Sequence, residues 1–266
     1  MTVAILIPAR FASTRYPGKP LAVLRGADGQ ERTLIQRSWD AAMKVAGADT
    51  VHVVTDDERI ADAARDFGAS VLMTSPDCAN GTERCAEAAE LLSPSTEIVV
   101  NLQGDAPLTP HWFVEALIDA MKSDPICSVA TPVLRCDEFA LRGFLDDRAA
   151  GRVGATTAVF DQDGRALYFS KEVIPYTGGN LLRDGVCPVF HHVGVYAYRT
   201  DALARYPTLP PGLLEACEGL EQLRFMENGI DVHCVEVEAR GAKFWELNNP
   251  EDVPRIEAAL AEAGMP

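Results

Sequence analysis

The chain has 266 residues and a formal net charge of −15, with 47% hydrophobic and 24% charged residues, values typical of a globular protein. This length suffices for one large α/β domain with a sizeable core. The acidic charge argues against nucleic acid or an anionic membrane as a partner, because both favour a basic surface. No run of eighteen apolar residues, Cys-x-x-Cys pair or basic leader is present. We therefore expect one cytoplasmic domain over residues 1–266, with reduced thiols.

The N-terminal half alternates strand and helix patterns, which is typical of a mainly parallel sheet with helices on both faces. We predict strands over residues 3–8, 51–54, 70–73 and 98–102. Thr55 and Glu58 have the spacing of a capping box, and Gly68 marks the end of that helix. A further helix is predicted after Thr82.

The C-terminal half has a different pattern. Residues 155–159 and 165–169 flank an Asp-Gly turn and predict a hairpin. Residues 191–198 predict one strand, and the periodicity from Leu213 to Leu223 predicts one helix. Residues 138–190 have less regular periodicity and more glycine, proline and charge. We interpret them as a smaller inserted β-rich subdomain, used for substrate closure or dimerisation.

The loop after the first predicted strand carries three cations, Arg10, Arg15 and Lys19. If the loop folds back, these side chains and its backbone N–H groups can bind a polyphosphate. The loop contains neither a Walker A sequence nor a Rossmann fingerprint. The alternative is a surface loop whose cations are merely solvated.

Two more polar segments lie at strand or helix ends, Asn-Gly-Thr-Glu-Arg at 80–84 and Gln-Gly-Asp-Ala-Pro at 103–107. The carboxyl ends of parallel strands meet in one crevice, so we expect both segments to lie near the cationic loop. Asp105, which leaves a buried strand, is a suitable Mg²⁺ ligand. The alternative for residues 80–84 is a simple helix cap.

Residues 7–21 resemble the N-terminal motif of the 3-deoxy-manno-octulosonate cytidylyltransferases, or CMP-Kdo synthetases. Residues 80–84 are similar to that family's Ser-Gly-Thr-Glu-Arg, residues 103–107 to its Gln-Gly-Asp-Glu-Pro, and residues 220–224 are identical to its Leu-Glu-Gln-Leu-Arg. The resemblance covers about the whole chain. It implies a nucleotide-diphosphosugar-transferase-like α/β fold and a homodimer.

The resemblance also implies a function. A Mg²⁺-dependent cytidylyltransferase would join CTP to a Kdo-like acidic sugar, by in-line attack on the α-phosphate, for lipopolysaccharide or capsule biosynthesis. The implied catalytic residues are Arg10, Lys19 and Asp105, and the implied metal ligands are Asp105 and Asn248. The implied nucleotide-binding residues are Ala9, Arg10, Arg15, Lys19, Asn80, Gly81, Thr82, Arg84 and Gln103. The implied sugar-binding residues are Lys171, His192, Tyr196, Glu221 and Gln222.

Four residues depart from the family pattern on the sugar and metal side: Ala106 replaces glutamate, Thr157 lysine, Lys171 arginine and Asn248 aspartate. Glu246, two residues before Asn248, is an alternative metal ligand. Two further interpretations stay open. One is the same reaction on another acidic sugar, such as 8-amino-Kdo, a neuraminate-like sugar or a shorter ulosonic acid. The other is a non-catalytic CTP-binding sensor.

Overall fold

The computed structural model describes residues 1–12, 15–153, 155–179, 181–243 and 245–265. Its β-strands are β1 (Thr2–Ala9), β2 (Val23–Arg25), β3 (Glu31–Thr33), β4 (Thr50–Thr55), β5 (Ser70–Met73), β6 (Thr96–Leu102), β7 (Val129–Arg135), β8 (Thr156–Phe160), β9 (Ala166–Ser170), β10 (Phe190–His192), β11 (Val195–Arg199) and β12 (Val232–Glu236). Its α-helices are α1 (Leu34–Ala42), α2 (Glu58–Asp66), α3 (Gly81–Ala89), α4 (His111–Ser123), α5 (Glu138–Ala149), α6 (Thr200–Arg205), α7 (Leu213–Glu218), α8 (Gln222–Glu227) and α9 (Val253–Glu262).

Most strands form one mixed sheet of order β5-β4-β1-β6-β11-β7-β10-β8-β9, with β12 also paired to β7. The part from β5 to β6 is parallel, whereas β11 joins β6 and β7 in antiparallel pairs. β2 and β3 form a separate hairpin that the sequence analysis did not predict. Because β1 and β6 run parallel, their carboxyl ends share one edge, where the loops at 9–21 and 103–107 begin.

Helices cover both faces of the sheet, as predicted, because side chains alternate along each strand. Ile5 and Ile7 of β1 are buried with residues of α1, α2 and α4, whereas Leu6 is buried on the opposite face with residues of α3 and α8. Each such fully buried side chain contributes roughly 1.5–3 kcal/mol relative to an exposed one. The core therefore holds α3 and α8 on the same face.

One predicted helix cap is wrong. Asp57, not Thr55, caps α2, because its carboxylate accepts a hydrogen bond from the backbone N–H of Arg59. The Thr55 hydroxyl instead accepts from the backbone N–H of Asp57. The helix stop at Gly68 is confirmed, since this glycine follows α2 with a left-handed φ of 88°.

Two other predicted elements are each divided in two. Residues 191–198 form β10 and β11 rather than one strand, because β10 pairs with β8 while β11 pairs with β6. The predicted helix from Leu213 to Leu223 is two helices, α7 and α8. Gly219 lies between them with a φ of 61°, which ends α7. Leu213 is exposed, so the apolar periodicity did not correspond to one buried face.

Residues 138–190 begin with α5, which the sequence analysis did not predict. The hairpin of β8 and β9 is confirmed, and it extends the main sheet through β10. Phe139 of α5 and Tyr176 are exposed apolar residues of this segment. Its role in closure or dimerisation stays a prediction.

The seven cysteines all lie within the described residues and are free thiols. Among the described residues, no helix has both the length and the apolar composition needed to cross a bilayer.

Candidate active site

The cationic loop after β1 folds back on itself. The backbone N–H of Gly18 donates to the carbonyl of Phe11 over 2.9 Å. Gly18 has a φ of 71°, and a Cβ there would lie 3.1 Å from the Phe11 ring, so a larger residue would strain the turn. Residues 13 and 14 lie outside the described residues. Arg10 is exposed at the end of β1, and its convergence with the other two cations stays a prediction.

Arg15 and Lys19 contact the two residues predicted to bind the metal. The Lys19 Nζ lies 2.5 Å from Oδ2 of Asp105, in an ion pair largely shielded from solvent. The Arg15 Nη2 donates to Oδ1 of Asn248 over 2.9 Å. The backbone N–H of Leu247 donates to the carbonyl of Asp105 over 2.9 Å, which aligns the two segments. Three distant parts of the sequence therefore meet in one cluster.

Gly104 explains how residues 103–107 approach the end of β1. A Cβ at Gly104 would lie 2.6 Å from the carbonyl oxygen of Pro8, which is too close for any other residue. The Ser38 hydroxyl donates to the Gly104 carbonyl over 3.0 Å and fixes this segment. Ala106, where the family has glutamate, is buried. The segment is therefore anchored by backbone contacts that place Asp105 at the sheet edge.

The C-terminal segment holds Asn248 against this edge. Asp252 accepts hydrogen bonds from the backbone N–H groups of Asn248 and Asn249, over 3.0 and 2.7 Å. The Nδ2 of Asn248 lies 3.5 Å from Oε2 of Glu246. Loss of solvent around the Glu246 carboxyl, and then the charge of Asp105, raises the pKa of Glu246 to about 7. The residue as a whole still keeps exposed surface.

The side-chain oxygens of Asp105, Asn248 and Glu246 are the hard donors that Mg²⁺ prefers. Across the described residues, no three His, Cys, Asp or Glu side chains are arranged around a common metal position. Magnesium commonly takes one or two protein carboxylates and completes its shell with water and substrate phosphates. The donor set therefore fits a magnesium ion that binds together with a nucleotide.

Residues 80–84 form the first turn of α3. The Asn80 Oδ1 accepts from the backbone N–H of Glu83 over 2.8 Å, so Asn80 is the helix cap. The backbone N–H and hydroxyl of Thr82 both donate to Oε2 of Glu221, over 3.0 and 2.5 Å. Gly81 lies beside Gln103, whose Oε1 would be 3.8 Å from a Cβ at the glycine. The structure therefore brings four predicted nucleotide residues together.

Arg84 does not join this group. It is buried, its Nη1 donates to the Thr74 hydroxyl over 2.6 Å, and its Nη2 lies 3.3 Å from Asp56. The guanidinium ties α3 to the segments that follow β4 and β5. The structure thus gives Arg84 a stabilising position, and its contact with the nucleotide stays a prediction.

Arg224 joins α8 to the first turn of α3. Its Nε and Nη2 donate to both carboxylate oxygens of Glu215, over 2.8 and 2.7 Å, and its Nη1 donates to Glu83 over 3.1 Å. The guanidinium also lies 4.3 Å from the centre of the Tyr206 ring. Only the planar fork of arginine makes this bidentate contact. The helix predicted to read the base and the helix predicted to read the sugar are therefore linked.

Three predicted sugar-binding residues are buried and carry no charge. The Tyr196 hydroxyl donates to Oε1 of Gln222 over 2.9 Å, and Nε2 of His192 lies 3.0 Å from the Thr131 hydroxyl. Burial, and then neighbouring His191, lowers the pKa of His192 to about 3. Burial raises the pKa of Tyr196 well above its usual value. These groups can therefore donate or accept hydrogen bonds, but they do not titrate near neutral pH.

Lys171 lies at the junction of α7 and α8. Its backbone N–H donates to Oε2 of Glu218 over 2.9 Å, and its Nζ would be 3.1 Å from a Cβ at Gly219. The buried Thr157 hydroxyl donates to the carbonyl of Glu172 over 2.7 Å. Thr157 therefore supports the loop after β9, whereas the ammonium group of Lys171 lies beside Gly219 at the end of α7.

Sequence reasoning gave no role to Asn101, Glu218 or Arg224. Asn101 had a signal, because it is the one amide within an otherwise apolar run at residues 98–102. Glu218 and Arg224 had none, since charged residues on short helices are ordinarily solvated.

Comparison with known proteins identifies the family of this chain. A model of the cytidylyltransferase family matches residues 4–232. The chain is 41% identical to a 3-deoxy-manno-octulosonate cytidylyltransferase from Maricaulis maris, over 99% of both chains. It is 40% identical to the enzyme of the same name from Chlamydia abortus, over 96% of this chain and 92% of the relative.

Solved structures show the same fold. The structure of a CMP:2-keto-3-deoxy-manno-octonic acid synthetase complexed with CTP superposes with a TM-score of 0.84, at 35% identity, over 99% of this chain and 100% of the other. A 4-diphosphocytidyl-2C-methyl-D-erythritol synthase from Anaerococcus prevotii superposes with a TM-score of 0.60 at 14% identity, over 97% and 98% of the two chains, which shows the fold alone. The predicted α/β fold class is confirmed. The chain therefore belongs to the cytidylyltransferases, and within them to the 3-deoxy-manno-octulosonate cytidylyltransferase family of nucleotidyltransferases.

Proposed function

We propose that the protein joins CTP to 3-deoxy-manno-octulosonate, giving the CMP-sugar and pyrophosphate. The observation that carries the proposal is a cluster of two cations and two candidate metal ligands, beside the capped N-terminus of α3. In this cluster Lys19 contacts Asp105 and Arg15 contacts Asn248. The anomeric oxygen forms a bond to the α-phosphorus as the bond to the departing pyrophosphate breaks. The hydroxyl proton passes to solvent.

The residues of the cluster have complementary tasks in this reaction. In the free protein, Lys19 and Arg15 are held by Asp105 and Asn248. A triphosphate offers these cations stronger anionic partners, so they are available to hold the phosphates and the departing pyrophosphate. When bound through Asp105 with Asn248 or Glu246, Mg²⁺ supplies charge neutralisation and lowers the pKa of a nearby hydroxyl. Catalysis then comes mainly from positioning and electrostatics.

The sugar assignment rests on the names of the relatives and on the buried neutral groups beside α8. Lys171 keeps the positive charge of the family's arginine without its bidentate fork. Other acidic sugars, including 8-amino-Kdo, neuraminate-like and shorter ulosonic acids, are therefore the competing substrates. A homodimer, supported by exposed Phe139 and Tyr176, and a role in lipopolysaccharide or capsule biosynthesis belong to the same proposal.

The test is pyrophosphate release with Mg²⁺, one nucleotide and one sugar acid at a time. We expect turnover with CTP and not with ATP or GTP, and faster turnover with Kdo than with the competing acids. Lys19→Ala serves as the inactive control, because it removes a phosphate contact. Preference for another acid would replace the sugar assignment. CTP binding without turnover on any acid would instead support the sensor.

A further inference from the structure

Strand β6 buries two polar side chains, Thr96 at its start and Asn101, and of these two Asn101 has no exposed surface. Ile98, Val100 and Leu102 of this strand pack on one face of the sheet, and Val99 packs on the other face, with residues of α3 and α8. Because alternate residues of a strand share a face, Asn101 points to the α3 and α8 side, two residues before Gln103.

The Asn101 amide makes no hydrogen bond with the described part of the protein. Among the described residues, neither its Oδ1 nor its Nδ2 has a hydrogen-bonding partner, and Nε2 of Gln222 also has none. Most buried polar groups in native proteins are paired, and leaving one unpaired costs roughly 1–3 kcal/mol. The amide therefore destabilises the free protein relative to an apolar side chain of the same size. A stabilising role for Asn101 must lie in another state.

Gly81 shows what the amide faces. A Cβ at Gly81 would lie 3.9 Å from the Asn101 Nδ2 and 3.8 Å from the Gln103 Oε1. Since glycine has no side chain, no Cβ occupies this point next to the donor and the acceptor; the Cγ of Pro8, 3.7 Å from the same point, is the third neighbour. Gln103 is only half-buried, so its side chain can turn. Tyr196, the cross-strand partner of Asn101, meanwhile donates its hydroxyl to Gln222.

We propose that Asn101 is a positioning residue that acts through Gln103. With the nucleotide bound, its Nδ2 donates to the Gln103 Oε1, and this orients the Gln103 Nε2 toward the nucleotide. The inference rests on the proposed function, because Gln103 is a predicted CTP-binding residue. A hydrogen bond that forms only in the bound state contributes to substrate affinity rather than to folding.

The decisive variant is Asn101→Leu, which keeps the volume and removes the amide. We expect its melting temperature to be unchanged or higher, and its affinity for CTP·Mg²⁺, measured by calorimetry, to fall about tenfold, the equivalent of one hydrogen bond. Thr131→Val is the matched control. The equally buried Thr131 hydroxyl is paired with His192 and with the Val195 carbonyl, so this variant should lose stability. Asn101→Ser, which is smaller and cannot reach Gln103, should lose the same affinity.

The route through Gln103 is tested by a double-mutant cycle. In a Gln103→Ala background, Asn101→Leu should have no further effect on CTP affinity. Additive losses, or an Asn101→Leu variant that loses stability like Thr131→Val and binds CTP normally, would overturn the inference. If the unmodified protein does not bind CTP, the proposed function and the inference both fail. If that protein binds CTP and the Asn101 variants bind equally well, only the inference fails.

Discussion

The ion pairs between Arg224 and its two glutamates join α8 to α7 and to α3, and removing them should measurably destabilise the protein. Arg224→Ala would leave the carboxylates of Glu215 and Glu83 without their cation, and their side chains are only 12% and 21% exposed. Breaking a buried pair costs about 3–5 kcal/mol, and the partial exposure of Glu83 favours the lower value, ~3 kcal/mol. For a chain of this size that corresponds to a melting temperature lower by about 6–12 °C.

The control is an arginine–glutamate ion pair on the surface. On α5, the Arg142 Nη2 lies 2.6 Å from Oε1 of Glu138, and the arginine side chain is 63% exposed. Such an exposed pair contributes about 0.3–0.5 kcal/mol, so Arg142→Ala should lower the melting temperature by less than about 2 °C. Arg224→Lys should fall between the two, because it keeps the charge and loses the fork. Scanning calorimetry gives all three values. Equal shifts for Arg224→Ala and Arg142→Ala would refute the reasoning that burial makes this pair strong.

Two predictions concern other residues of the site. Asn248→Asp adds a negative charge where Asn248 now accepts from Arg15, so the Mg²⁺ concentration that gives half-maximal activity should fall; an unchanged value would mean that Glu246 or water already occupies that position. Burial is the main cause that raises the pKa of Glu221 above its usual 4.5. The stability that its protonated form contributes is therefore complete below pH 4.5 and is lost as the pH rises through the pKa of the folded state. Glu221→Gln keeps an acceptor for Thr82 and should therefore be more stable than the parent at pH 8, with a smaller difference at pH 4; the same difference in melting temperature at both pH values would contradict this.

Local patterns in the sequence determined the parallel half of the sheet and the cationic loop. Short apolar runs at residues 3–8 and 98–102 predicted buried strands correctly, because burial on both faces leaves little other use for such runs. The run at residues 70–73 predicted a strand correctly, and it forms the half-exposed edge strand β5. Motif spacing also predicted that Asp105 and Lys19 lie near one sheet edge, since strand ends converge in this kind of fold. The hairpin around residues 161–164 followed from its Asp-Gly turn.

Tertiary structure decided the rest. The break at Gly219 and the division of residues 191–198 depend on which strand or helix each part packs against, and periodicity in one segment contains no information about that partner. The positions of Arg84 and Arg224 are similar cases, because whether an arginine is solvated or buried depends on acidic residues far away in the sequence. Asp56 and Glu83 are such residues, and only the folded chain brings them within reach. Asn101 is a further case, because its amide is unpaired only in the packed core. Among the described residues, no neighbour supplies a hydrogen-bonding partner to this amide.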